Sequence, residues 1–305
     1  MKVYCNAGRS YVYGYPDGRL VQCESMFSHI TIGNMIDCTW NPVQNTEKLI
    51  CPDYTKCKGC DSYQSKQIIE NNNGYNFLER NFTLYPRKEK NPNEFKDDYV
   101  MYMVTLNNRC NYDCIYCDWV ERSKKTADLL EAKHVIKFFK MRAYEHKSTG
   151  FISIAPMGEP CIFPNFINVV SKLIEFGFQM NITSNMSKFE VIEELTSNKH
   201  FIPHLEFQMS LHPFAKGFNW DRYLGTVTMV RNRGFRCYSL MVGNPLQTGL
   251  FEKYKEELSK HNINLIMQED ESIYGKRVDE KVILEKMQIN GNRKLENEIK
   301  SFKNI

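Results

Sequence analysis

The chain has 305 residues, 42% of them hydrophobic and 25% charged, with 40 basic against 36 acidic side chains and 11 cysteines. It is too apolar for a disordered tail and too long for a disulfide-stapled secreted module, and its length suits one large domain or two smaller ones, each able to bury a core. A net charge of +4, with basic residues spread along the chain, excludes the concentrated footprint of a nucleic-acid binder.

The opening MKVYCNAGRS lacks the apolar stretch of a signal peptide, and apolar runs such as Val100 to Leu106 are far below membrane-spanning length. A cytoplasmic protein with no membrane contact is the expectation. In a reducing compartment an odd set of cysteines is read as a ligand set before it is read as disulfides.

Six cysteines (Cys5, Cys23, Cys38, Cys51, Cys57 and Cys60) lie in the first sixty residues. The segment SYVYGYPDGRLVQC alternates aromatic and polar residues around Pro16-Asp17-Gly18, which predicts a strand, a tight turn and a strand. A small cysteine-rich β-hairpin domain over 1–70 follows from this, then a linker over 71–98 rich in Asn, Pro and charge. From residue 99 onward apolar strands are expected at 99–106, 151–156, 178–184, 205–211, 235–242 and 263–268, separated by amphipathic helices such as AKHVIKFFKMRAYEH and NFINVVSKLIEFG. Repeated βα units predict an α/β fold with parallel strands, a partial (β/α)6 TIM-like barrel over 99–270, and a charged helical tail over 271–305.

Within RCNYDCIYCDW, Cys110, Cys114 and Cys117 stand at spacing C-x3-C-x2-C directly after the first of these strands. Three thiolates on a four-iron cube leave one iron open, whereas structural zinc takes a fourth protein ligand. The zinc alternative would recruit His134 or His212. The strand before the cysteines puts them at the C-terminal end of the sheet, where α/β folds keep their chemistry.

This triplet, with Tyr116 before its last cysteine and Met157-Gly158-Glu159-Pro160 ending the second strand, resembles the radical S-adenosylmethionine (radical SAM) superfamily. The likeness covers about residues 99 to 270, and the first glycine of the family's GGEP-like motif is missing. It implies a 4Fe-4S cluster on Cys110, Cys114 and Cys117 that binds S-adenosyl-L-methionine. It further implies cofactor contacts from Tyr116, Gly158, Glu159, Pro160, Thr183, Ser184, Asn185 and Ser210, with His212 lining the pocket. Glu159 is then a positioning residue and not a general base. The implied activity is reductive cleavage of S-adenosylmethionine to a 5′-deoxyadenosyl radical that takes hydrogen from a substrate, a peptide or protein side chain being preferred over a sugar-like small molecule. A flavodoxin or ferredoxin-type donor would supply the electron. The rival class is a non-catalytic iron–sulfur or zinc protein.

Cys5, Gly18 and Cys23 at C-x12-G-x4-C, with Ile32-Gly33-Asn34, resemble the opening of SPASM and twitch domains, which hold auxiliary clusters. The resemblance implies a second 4Fe-4S cluster on Cys5, Cys23, Cys57 and Cys60, with Cys51 replacing one of them or joining Cys38 in a partial site; zinc suits the same four thiolates. In the family this domain follows the barrel, and here it precedes it. Cys161 beside the pocket is either a hydrogen-atom donor to a substrate radical or a small buried residue. Cys237 reads as core, Arg231, Arg233 and Arg236 as an anion site or a solvated cluster, and Tyr112 and Trp119 as shields of the cluster.

Overall fold

The computed structural model describes residues 2–5, 11–22, 30–42, 49–50, 66–70, 73–75, 99–112, 114, 117, 127–145, 149–154, 157–243 and 245–269. The chain forms two compact units, Met1–Asn107 with Ala127–Pro156 and Pro164–Asn181, and Asn108–Thr126 with Met157–Phe163 and Ile182–Ile305. In the first, strands β1 (Lys2–Cys5), β2 (Tyr11–Gly14), β3 (Arg19–Val21), β4 (Thr31–Asn34), β5 (Thr39–Trp40), β6 (Leu49–Ile50), β7 (Lys66–Glu70), β8 (Asn73–Tyr75) and β9 (Tyr99–Val104) precede helix α1 (Ala132–Tyr144), β10 (Thr149–Ile154) and α2 (Phe166–Glu175). β11 (Gln179–Ser184) begins in the first unit and ends in the second, where α3 (Phe189–Ser197), β12 (Leu205–Leu211), α4 (Trp220–Asn232), β13 (Arg236–Gly243), α5 (Pro245–Ser259) and β14 (Leu265–Glu269) follow.

The architecture is a mixed α/β one with parallel strands. β9 and β10 pair in parallel from Tyr99↔Thr149 to Val104↔Ile154, and β12, β13 and β14 pair in parallel in the second unit. The six strands expected from residue 99 onward are β9 to β14, with ends shifted by no more than two residues. Parallel neighbours need a long crossover, and the helices between them supply it.

Three of these helices end in the same way. The N–H of Gly177 bonds to the Ile174 carbonyl and that of Phe178 to Leu173; Gly234 and Phe235 repeat this on Arg231 and Val230, and Asn262 and Ile263 on Ser259 and Leu258. The residue that turns the chain is left-handed each time, at φ +94°, +89° and +57°, which is why glycine or asparagine stands there. The residue after it, Phe178, Phe235 or Ile263, is buried and leads into the next strand.

The first unit departs from a simple hairpin domain followed by a linker. β2 pairs in parallel with β9, from Tyr11↔Met101 to Gly14↔Val104, while β3, β4 and β5 continue from β2 as an antiparallel meander. Residues 1–70 and the first expected barrel strand therefore share one unit. A second sheet has the order β6-β1-β7-β8, and β8 lies inside the segment 71–98 expected as linker; the rest of that segment and the tail 271–305 lie outside the described residues. The Tyr102 ring packs on Phe139 and Phe178 at 5.0 and 6.4 Å, and Arg142 lies over Trp40 at 4.2 Å while its Nε donates to the Tyr102 hydroxyl at 2.9 Å. Helix α1 is thus joined to the meander through one buried guanidinium.

In the second unit, Phe207, Met209 and Leu211 of β12 are fully buried, and the Tyr223 hydroxyl of α4 donates to the Met209 carbonyl at 3.0 Å and lies 3.0 Å from the Ser239 hydroxyl. Glu206, Gln208 and Ser210 alternate with them onto the opposite face. Both carboxylate oxygens of Glu206 are buried without a hydrogen-bond partner among the described residues, and burial pushes its pKa up to about 7 against the opposing pull of Arg236. Unfolded, this acid ionises at an ordinary carboxylate value. As pH rises the unfolded chain therefore loses its proton first, and folding loses stability from about pH 4 up to about pH 7, roughly 3 kcal/mol in all. Glu206→Gln is expected to lack this falling contribution, so that in urea titrations the difference in stability between variant and parent changes by roughly 3 kcal/mol from about pH 4 to about pH 7; a difference that stays constant with pH would remove Glu206 as its source.

Candidate functional site

Cys110, Cys114 and Cys117 follow β9 on one loop of the second unit. Cys110 and Cys117 are exposed and Cys114 is half-buried, all three as free thiols. The Cys117 N–H bonds to the Cys114 carbonyl at 3.0 Å, and the Cys110 sulfur accepts the Tyr112 N–H at 3.4 Å. Desolvation holds the Cys110 thiol at about 11. The carbonyl of Arg109, one residue before Cys110, accepts the Glu159 N–H at 2.7 Å and so ties the cysteine loop to Gly158-Glu159-Pro160.

Glu159 is 1% exposed and stands at the entry to a 3-10 turn, Pro160–Ile162, with the proline at its first position. Its Oε1 accepts the Cys161 N–H at 3.0 Å and the Ser184 hydroxyl at 2.8 Å, and its Oε2 accepts the Asn185 N–H at 2.8 Å. Burial raises the carboxyl above its usual range, and the donors offset only part of that rise. One carboxylate thus joins the loop after β10 to the end of β11, as a positioning group does.

Asn185 extends the network. Its Nδ2 donates to Asn111 Oδ1 at 3.1 Å and lies 3.9 Å from the Cys110 sulfur, while its Oδ1 accepts the Ser187 N–H at 3.0 Å. Asn111 Nδ2 in turn donates to the Ser187 hydroxyl at 2.6 Å. Between them Met186 is fully buried at φ +59°, a left-handed conformation that costs a non-glycine residue energy and tends to occur where surrounding contacts over-determine it. Here the Ser184 hydroxyl accepts the Met186 N–H at 3.0 Å.

The remaining expected residues separate. Thr183 Oγ1 is buried with no hydrogen-bond partner among the described residues, a polar atom at a strand end that is set to receive one. Ser210 is half-buried near the end of β12. Just past it, burial lowers the His212 imidazole to about 4, so it is neutral at physiological pH. The Cys161 sulfur is buried 3.5 Å from the Ser184 hydroxyl, and burial holds its thiol well above the usual range.

Several rivals find structural roles. His134 Nδ1 accepts the Glu131 N–H at 3.2 Å at the start of α1. Arg233 donates to the Glu193 carbonyl and the Thr196 hydroxyl, Arg236 to the Pro203 carbonyl at 3.5 Å, and Arg231 is exposed, so the three arginines do not converge. Cys237 is half-buried in β13, less enclosed than the core residue expected. Cys38 is half-buried in a turn at φ +55°. Cys5 ends β1 opposite Leu49 and Lys66; Tyr116, Trp119, Cys23, Cys51, Cys57 and Cys60 lie outside the described residues.

Beside the cysteine loop a cavity of about 450 Å³ is lined by Asn111, Tyr112, Ser187, Lys188, Gly217 and Arg222 among others. Gly217, left-handed at φ +91°, lies beside the Tyr112 ring, and burial pushes the Tyr112 phenol up to about 12. Sequence reasoning missed Asn111, Ser187, Lys188 and Arg222. The available signal was position: Ser187 and Lys188 directly follow Thr183-Ser184-Asn185, and Arg222 opens the helix after β12.

Among the described residues no group of three or more His, Cys, Asp and Glu side chains converges on a metal-sized site, and no helix is long and apolar enough to cross a membrane. The donor chemistry nonetheless fits an iron–sulfur cluster, with three soft sulfurs on one loop, none in a disulfide.

No protein-family profile matches the chain, and comparison with curated proteins finds no significant relative. Among solved structures, Streptococcus suis SuiB bound to precursor peptide SuiA is similar over 64% of this chain and 46% of its own, at 16% identity and a TM-score of 0.46. Native anSMEcpe with bound AdoMet is similar over 56% of this chain and 51% of its own, at 15% identity and a TM-score of 0.45. TYW1 with a lysine-pyruvate adduct bound is similar over 60% and 68%, at 16% identity and a TM-score of 0.41. The match to SuiB spans less than half of that protein. Likeness at this level carries no argument about activity, which must rest on the residues themselves.

Proposed function

We propose that this chain is a radical SAM enzyme in which Cys110, Cys114 and Cys117 hold a 4Fe-4S cluster and the ends of β10, β11 and β12 receive S-adenosylmethionine. The supporting observation is the Glu159 network: one buried carboxylate and Asn185 connect the Gly158-Glu159-Pro160 loop, the Thr183-Ser184-Asn185 strand end and the cysteine loop. When bound, the cluster supplies the electron that cleaves S-adenosylmethionine to a 5′-deoxyadenosyl radical, the species that takes hydrogen from the substrate.

The chain's own residues orient and shield. Glu159 holds Ser184 and Asn185 in place, Thr183 and Ser210 offer hydroxyls to the cofactor, and Tyr112 walls the cavity with an apolar ring. Neutral His212 can accept a hydrogen bond or pack there without adding charge. The substrate class we favour is a peptide or protein side chain, with a flavodoxin or ferredoxin-type donor as electron source and an auxiliary cluster on the N-terminal cysteines. A sugar-like metabolite is the other reading of the same chemistry.

Anaerobically reconstituted protein given dithionite and S-adenosylmethionine is expected to form 5′-deoxyadenosine. The triple variant Cys110→Ala, Cys114→Ala, Cys117→Ala should form none above background, a loss of about a thousandfold or more. Iron left on that variant reports on the N-terminal cysteines, with about four irons for a second cube and none, with zinc in their place, for a structural site. A parent protein that makes no 5′-deoxyadenosine would end the enzyme reading.

A further inference from the structure

The N-terminal hairpin meets both stems of the cysteine loop. Because β2 runs parallel to β9, the chain leaves the two strands at the same end, and the Gly14 carbonyl accepts the Thr105 N–H at 2.9 Å. The hydroxyls of Tyr13 and Thr105, both buried, are 3.0 Å apart. Farther along the hairpin, the Pro16 carbonyl accepts the N–H groups of Leu129 and Leu130, each at 2.9 Å. Thr105 lies before the loop that carries Cys110, Cys114 and Cys117, and Leu129 and Leu130 lie after it.

The turn that presents this carbonyl is firmly built. The Gly18 N–H bonds to the Tyr15 carbonyl at 3.0 Å, the Tyr15 N–H bonds to the Arg19 carbonyl at 2.9 Å, and Gly18 is left-handed at φ +91°. A Cβ on Gly18 would come within 2.8 Å of Asn34 and Ile36. The Asp17 carboxylate accepts the Arg19 N–H at 3.1 Å and Arg19 Nε at 2.7 Å. Proline at the second position of the turn presets its dihedral and leaves that residue's carbonyl free to accept from outside.

We infer that the β2–β3 hairpin is the positioning element of the cysteine loop: Gly14 and Tyr13 hold its incoming stem at Thr105, and Pro16 holds its outgoing stem at Leu129 and Leu130. This rests on the reading of that loop as the cluster carrier. Fixing both stems reduces the conformations over which the three thiols must converge, so the hairpin acts on cluster retention more than on global stability. It gives the N-terminal segment a role, exerted through the stems of the loop, that requires no metal of its own.

Two variants test this in the full chain. Tyr13→Phe removes one hydroxyl and keeps the ring; Pro16→Gly keeps the carbonyl and frees the turn. In the metal-free protein, amide hydrogen exchange across 106–130 is expected to quicken by about tenfold in each variant, with the melting temperature within a few degrees of the parent. In the reconstituted protein, iron release to a chelator should be several-fold faster, and the change in the cluster's electron paramagnetic resonance signal on adding S-adenosylmethionine should weaken. Unchanged exchange across 106–130, or faster exchange with unchanged iron retention and signal, would overturn the proposal. Should the parent bind no iron at the three cysteines, the radical SAM reading fails by itself, and exchange in the metal-free chain then decides whether the hairpin holds the loop.

Discussion

Glu159→Ala is expected to cut 5′-deoxyadenosine formation by about a hundredfold and to destabilise the protein by about 3 kcal/mol. The carboxylate accepts from two backbone N–H groups and one hydroxyl in a setting 1% exposed. Removing it leaves the Cys161 and Asn185 N–H groups unpaired in the interior, each at a cost of about 1–3 kcal/mol before relaxation. It also unfastens Asn185, whose side chain reaches Asn111 and the Cys110 sulfur, and a misplacement of about 1 Å near reacting groups is enough for a hundredfold loss. Glu159→Gln keeps the shape, but its amide nitrogen must face a backbone donor on one side, so about half the stability loss should remain. Parallel chemical denaturation and 5′-deoxyadenosine assays separate the two effects. A Glu159→Ala protein that is destabilised yet turns over within threefold of the parent would show that Glu159 supports the fold and not the site.

Arg142→Ala is expected to destabilise the protein by about 3 kcal/mol without a direct effect on the cysteine loop. Arg142 is 4% exposed, its guanidinium lies over the Trp40 ring, and its Nε donates to the Tyr102 hydroxyl. Its loss removes a desolvated cation–π contact and the hydrogen bond to the Tyr102 hydroxyl, and opens a gap between α1 and β5. Arg142→Met retains the bulk and should recover about half of the loss, whereas Arg142→Lys should do no better, because a compact ammonium cannot stack and donate in one geometry. Urea titration followed by tryptophan fluorescence is the measurement. Stability within 0.5 kcal/mol of the parent for Arg142→Ala would mean that the meander does not depend on this contact.

The parallel strands and their helices were legible because each apolar run and each amphipathic period is a local pattern. From Phe207 to Leu211 the strand alternates buried and half-buried residues, and Phe166, Val169, Val170 and Leu173 mark one face of α2. The cysteine spacing and the Gly158-Glu159-Pro160 motif were legible for the same reason, since their residues are close in sequence. The pairing of β2 with β9 was not. A short aromatic strand such as Tyr11–Gly14 shows from its sequence that it pairs, but not with which edge, and its hairpin partner β3 satisfies one side only. The roles of His134 and Arg233 depend likewise on groups that the fold brings beside them.

Sequence alone therefore determined the chemistry on offer: three thiols on one loop after an apolar strand, a glutamate and proline after the next, and polar strand ends beyond. Tertiary structure decided how those groups are held. Glu159 turns out to be occupied by Ser184, Cys161 and Asn185, and the loop's stems turn out to be tied to Gly14 and Pro16 of an N-terminal segment that its cysteines had marked only as a metal site. The division has a physical cause. Ligand type and local period are properties of neighbouring residues, while hydrogen bonds between Thr105 and Gly14, or between Leu129 and Pro16, exist only once distant parts of the chain have packed.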